Sequence, residues 1–242
     1  FPLSIDPNFI LKFPPTGFTF KWYERFFNSA DWIKSTLLSL EIATYASLLA
    51  TAVGTAAAIG LARWPLPGRK AGTVMLMCPI LLPHVVVAIA IYGIYVSLGL
   101  VGTKHGIALA HSVLGVPFVF LNVTAALRAV PRDYEDAAAS LGSNQIATLI
   151  FVTLPLIWRG VLAGAIFAFV VSFDEVVIAM FLSSPSAMTL TKRLLDGIFY
   201  DLSPVLAAVS AILVLFNVTL ALAGLSLAKI RQRTTAGANN TG

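Results

Sequence analysis

Charge is what this sequence has least of. Asp, Glu, Lys and Arg make up 11% of its 242 residues, against 58% hydrophobic. A water-soluble domain carries about 25% charged residues. That shortage, with a mean hydropathy of +0.87, excludes a soluble globule and places the chain in lipid. Lipid admits only helices or closed barrels, and a barrel would show alternating segments of about ten residues. The apolar runs here are longer and do not alternate, so the expected class is an all-α membrane protein. Cysteine is nearly absent as well. Cys78 alone excludes an intrachain disulfide and a multi-cysteine metal site, and its apolar run suggests a small core residue. No Gly-x4-Gly-Lys-Ser/Thr occurs, so the chain has no P-loop to cradle ATP. No nucleophile–base spacing argues for a membrane enzyme. The net charge of +5 does not argue for nucleic acid, because the basic residues are spread over loops between apolar segments.

What is present is a series of apolar segments, each close to the roughly 20 residues a span needs. Five are expected: 36–62, 71–100, 105–127, 160–182 and 204–228. Pro79 and Pro83 should kink the second. Residues 1–35, with Pro2, Pro7, Pro14, Pro15 and several charges including Lys12, are not a span. Their aromatics suit either an interfacial helix or packing on the bundle. Residues 183–203 read as a loop, and 230–242 as a disordered polar tail. Asn122 and His111 should bond neighbouring helices. Glu41, near the outer end of the first span, reads as a capped or snorkelling carboxylate or as part of a solute path. Short-loop basic residues (Arg63, Arg69, Lys70, Arg128, Arg132, Arg159) put the 131–159 loop and the C-terminus on the cytoplasmic side and residues 1–35 outside. Five spans with an external start would need a sixth span upstream if the true terminus is cytoplasmic.

The polar interior stretch 131–159 is the most distinctive. Asp133 is positioned to cap a helix after Pro131, with Asp136 completing a capping box. Glu135 and Asp136 suit the positive end of the helix dipole. Gly142 is placed to end the helix, Ser143 to cap a second short one, and Leu154-Pro155 to stop that one. Two short helices would then form a rigid knob. In the fourth span, Asp174 and Glu175 stand near its middle, where an acid costs about 2.5–3.5 kcal/mol on insertion scales. They point about 100° apart on a helix. Either one, preferentially Asp174, faces a solute path while Glu175 pairs with a neighbouring helix, or both pair elsewhere or cap a break near Ser172. Tyr92, Tyr95, Phe169, Phe173 and Phe199 offer cation–π faces or packing.

Asp136-Ala137-Ala138, Gly142 and Val152-x-Leu154-Pro155, at matched spacing, resemble the EAA motif of binding-protein-dependent ABC import permeases. Asp136 and Val152 depart conservatively from Glu and Ile. The stretches 13–27, 172–190 and Asp201-Leu202-Ser203-Pro204 more narrowly resemble the second permease of spermidine/putrescine importers. The resemblance implies a six-span permease paired with a second permease subunit, two ATPase subunits that bind the ATP and Mg, and an external substrate-binding protein. It implies no cofactor and no catalytic chemistry in this chain. Glu135, Asp136, Ala137, Ala138, Gly142, Val152, Leu154 and Pro155 would couple it to the ATPase. Asp174, Glu175, Tyr92, Phe173 and Glu41 are the candidates for the path of a cationic solute. Two rivals remain: the same importer class moving another small amine, amino-acid-like solute or ion, and a secondary transporter using His84, His111 and the acids as a proton relay.

Overall fold

Backbone N–H and C=O groups cannot stay unpaired in hydrocarbon, and the chain answers this with helix along nearly its whole length. The computed structural model describes residues 2–8, 17–64 and 67–238, with Pro2 and residues 225–238 as backbone only. Lys12, Pro14, Pro15, Pro65 and residues 239–242 lie outside the described residues. The helices are α1 (Lys21–Asn28), α2 (Ala30–Arg63), α3 (Arg69–Leu81), α4 (His84–Leu98), α5 (Lys104–Arg128) and α6 (Asp133–Ser140). They continue with α7 (Gln145–Thr148), α8 (Leu154–Asp174), α9 (Val177–Leu182), α10 (Leu190–Tyr200) and α11 (Pro204–Ala238). Among the described residues the nearest thing to a strand is the isolated bridge Ser184–Ala187.

Among the described residues four helices are long and apolar enough to cross a membrane: Ala30–Arg63, Lys104–Arg128, Gln145–Asp174 and Pro204–Gly224. The pair α3–α4 is apolar enough to cross only when its two helices are taken together, and it is bent by 104°. This is far more than the kink expected. Pro79 lies inside α3 and Pro83 precedes α4. Leu82, ahead of a proline, is held extended at φ −88°, ψ 143°, because the pyrrolidine ring disfavours αR at the preceding residue.

The bundle is built on α2, α5 and α8, which pack on one another. Small residues set their separation. A Cβ added at Gly115 of α5 would lie 2.9 Å from Ala50 Cβ of α2 and 3.1 Å from Ala168 Cβ of α8. One added at Gly164 of α8 would lie 2.9 Å from Val119 Cα. Where lipid and side chains are equally apolar, such close approach supplies the packing that associates spans. Outside this trio, α11 lies on α8, α3 on α5 and α4 on α9.

Several expectations need correction. The first span begins at Ala30 and not at 36, and α1 precedes it with Trp22 and Phe26 buried in the core while Phe20 and Phe27 stay exposed. Trp22, Tyr23, Phe26 and Trp32 therefore pack on the bundle, while Phe18, Phe20 and Phe27 do not. The 183–203 segment is not a loop throughout, since α10 fills much of it. The last helix runs on to Ala238, so most of the polar tail is helical. Cys78 is exposed on α3 and is no core residue. Asn122 donates to Phe118 O of its own helix at 2.9 Å and not to a neighbour, whereas His111 Nδ1 does reach Ser172 Oγ on α8 at 3.0 Å.

Gly115→Val should lower the midpoint of thermal unfolding of the purified transporter by several degrees, since overpacking costs about 1–3 kcal/mol. Gly60→Ala should be near neutral, because its added Cβ would meet Trp64 at an ordinary 3.7 Å. Differential scanning fluorimetry in detergent checks both.

Candidate functional site

Two places carry polar chemistry, one at each end of the α8 span. The first is the knob formed by α6 and α7. Helix α6 starts with Asp133, Glu135 and Asp136 in its first turn, where the dipole favours acids. Arg132 is its N-cap and no side chain caps it, so Asp133 is not the cap and the capping box is not formed. The far end is as expected. Gly142 has φ +87°, Gly142 N donates to Ala139 O at 2.9 Å and Ser143 N to Ala138 O at 3.0 Å. This is a Schellman stop that needs a left-handed residue. Asn144, not Ser143, caps α7: its Oδ1 accepts from Ala147 N at 2.8 Å.

Leu154-Pro155 does not stop the second helix. A π-turn over Leu149–Thr153 widens the backbone just before Pro155. That accommodates the ring and its missing N–H, so the helix runs unbroken from Gln145 to Asp174. The knob is thus continuous with a span. Val152 and Leu154 are half-buried in that junction, while Asp136, Ala137, Gly142 and Pro155 are exposed and Ala138 is half-buried. Tyr134, Leu141 and Ile146 expose apolar surface beside them.

Glu135 faces the other way. Its Oε1 lies 3.0 Å from Arg63 Nε at the end of α2 and accepts from Thr153 Oγ1 at 2.9 Å. Arg132 Nη2 donates to Ala62 O at 3.0 Å. Glu135 and Arg132 therefore tie the knob to α2 and the π-turn, so Glu135 is not part of the outward surface that Asp136 presents. Nothing in the local sequence marks this pair: 72 positions separate Arg63 from Glu135.

The second place is the break between α8 and α9. Asp174 and Glu175 are not in the middle of a span. They end a 30-residue helix about 45 Å long, a short helix away from the turn where Ser184 Oγ donates to Gly102 O at 2.8 Å. Asp174 is exposed, with Asn217 Nδ2 of α11 at 3.4 Å from Oδ1. Glu175 is buried. Its Oε1 accepts from Val177 N at 2.8 Å and Ile178 N at 3.0 Å. Its Oε2 lies 2.9 Å from His84 Nδ1 at the start of α4.

The other candidates scatter. Phe173 is buried against Phe169 and Phe216, with ring centroids 6.0 and 5.0 Å away; it packs, and offers no free face to a solute. Tyr92 on α4 and Phe199 on α10 are exposed. Tyr95 is half-buried against the core. Glu41 is paired with Lys104, joining α2 to α5. Among the described residues no group of His, Cys, Asp and Glu is arranged to hold a metal.

Comparison with known proteins decides the family. The model of the binding-protein-dependent transport system inner membrane component matches residues 27–232. The chain belongs to that family. It is thus a multi-pass inner-membrane subunit of a transport system that works with a binding protein. It is 29% identical to the spermidine/putrescine transport system permease protein PotC of Haemophilus influenzae, over 84% of this chain and 79% of that one. It is 28% identical to the putrescine transport system permease protein PotI of Escherichia coli, over 81% and 73%. In structure it resembles a bacterial ABC transporter involved in alginate import, with a TM-score of 0.69 at 14% identity over 94% of this chain and 87% of that one. The MetNI methionine ABC transporter gives 0.65 at 15%, over 82% and 94%. These last two likenesses establish the permease fold.

The Arg63–Glu135 pair is largely shielded from water, so its two members should not be independent. In a double-mutant cycle on unfolding, Arg63→Ala and Glu135→Ala should show a coupling of about 1 kcal/mol. Asp136→Ala with Arg63→Ala should be additive.

Proposed function

We propose that this chain is one of two transmembrane permease subunits of an ATP-driven importer for polyamines, spermidine or putrescine. An external binding protein delivers the solute, and two separate ATPase subunits bind the ATP and Mg. The 131–159 loop and the C-terminus face the cytoplasm. The observation that carries the coupling half is the knob's construction. An exposed Asp136 stands on α6, whose end at Leu141 is closed by Gly142, and the apolar Leu141 and the Ile146 of α7 are exposed beside it. That helix is roped by Glu135 to α2 and linked through α7 to α8. A partner gripping that surface moves two spans of the central trio at once. Closure of the ATPases on ATP draws the knobs together, and the bundle passes from inward- to outward-facing.

The polyamine half is supported by the relatives' names and by the charge at the α8–α9 break. Asp174 is an exposed carboxylate at the end of a span, and such a group attracts an ammonium without enclosing it. That suits a path, since a site that held the cation tightly would trap it.

Uptake of labelled spermidine and putrescine into vesicles holding this chain with its co-purifying partners tests the reading. Asp174→Asn should raise KM by about tenfold or more, the scale of one lost charge-assisted contact, with ATP hydrolysis retained. Saturable ATP-driven uptake of another solute, with no polyamine uptake, would overturn the substrate. Asp136→Arg should abolish stimulation of ATP hydrolysis by the loaded binding protein.

A further inference from the structure

We infer that Glu175 is a positioning residue that latches the two broken spans together, with His84 as its counterpart, and is not a ligand for the transported solute. The apolar pair α3–α4 is interrupted at Leu82-Pro83, and α8 gives way to α9 at Glu175. One carboxylate caps the start of α9 and holds the side chain of the first residue of α4. Oε1 takes the first free backbone N–H groups of α9, from Val177 and Ile178. Oε2 takes the His84 imidazole at the first position of α4. A carboxylate only accepts, so Nδ1 carries the proton in this bond. Thr191 Oγ1 of α10 adds a bond to Glu175 O at 3.0 Å, bringing a third helix to the same residue.

These bonds leave Glu175 little capacity for a solute. Its side chain is 4% exposed, against 43% for His84, and both oxygens are engaged. The neighbouring Asp174 is exposed with one long amide contact. The two adjacent acids thus divide the work, Asp174 toward the opening and Glu175 toward the frame. Glutamine preserves the frame. Its amide oxygen accepts from Val177 N and Ile178 N, and its NH2 donates to His84 Nδ1 in the other tautomer.

The test labels Val86→Cys on α4 and Met180→Cys on α9 with nitroxides, in a Cys78→Ser background of the assembled transporter. The distance between them is then measured by pulsed electron paramagnetic resonance. Glu175→Ala should lengthen and broaden the distribution, and Glu175→Gln should leave it as in the parent. His84→Ala, which removes one bond and leaves the α9 cap intact, should broaden it without unfolding the bundle. In uptake, Glu175→Gln should keep KM within about threefold of wild type, where Asp174→Asn raises it. An unchanged distribution in both alanine variants would overturn the latch. So would a KM rise in Glu175→Gln equal to that of Asp174→Asn. The distance measurement needs no solute, so the latch and the polyamine reading stand or fall separately.

Discussion

Every interruption of a helix in hydrocarbon frees backbone donors and acceptors that no water can reach, and the structure turns on how this chain supplies them with partners. It breaks helices at Leu82-Pro83, at Glu175 and, outside the apolar segments, at Gly142 in the exposed knob, and caps each differently. Pro83 opens the bend between α3 and α4, where a missing N–H leaves one donor fewer to satisfy. Gly142 closes α6 with two backbone bonds that only a left-handed residue permits. Glu175 caps α9 with a carboxylate and uses its second oxygen on His84.

The unbroken parts are as consequential. The tight approach at Gly115 and Gly164 holds α2, α5 and α8 at a spacing that larger residues would forbid. The knob is an extension of that rigid trio, through the continuous Gln145–Asp174 helix on one side and the Arg63–Glu135 pair on the other. The helix that begins beside the knob at Gln145 ends about 45 Å away, at Asp174, without a break. The knob stands at one end of a single helix, and the exposed acid at the other.

Helix class, the positions of most spans, the α6 helix and its Gly142 stop were legible in the sequence, because each rests on local signals: apolar run length, a glycine after an alanine helix, an acid-rich first turn. What failed was continuity. The Leu-Pro pair reads as a stop, but a π-turn ahead of Pro155 lets the helix pass, and nothing local announces the extra residue in that turn. Asp174 and Glu175 moved from mid-span to a helix end because the helix starts early, at Gln145, and breaks at Glu175. The long-range partners were hidden for a different reason. Arg63 with Glu135, Ser39 with Leu190 and His84 with Glu175 meet only once the spans are assembled, and a lone His after a proline carries no sign of what it will face.

The most direct measurement is the energy source of transport. Proteoliposomes holding this chain with its co-purifying partners would be given either internal ATP and Mg or a proton gradient, and uptake of labelled polyamine followed with the binding protein outside. A permease driven through its knob predicts saturable uptake with ATP alone, lost when Asp136 is replaced by arginine. Uptake driven by the proton gradient without ATP, and indifferent to Asp136, would contradict it.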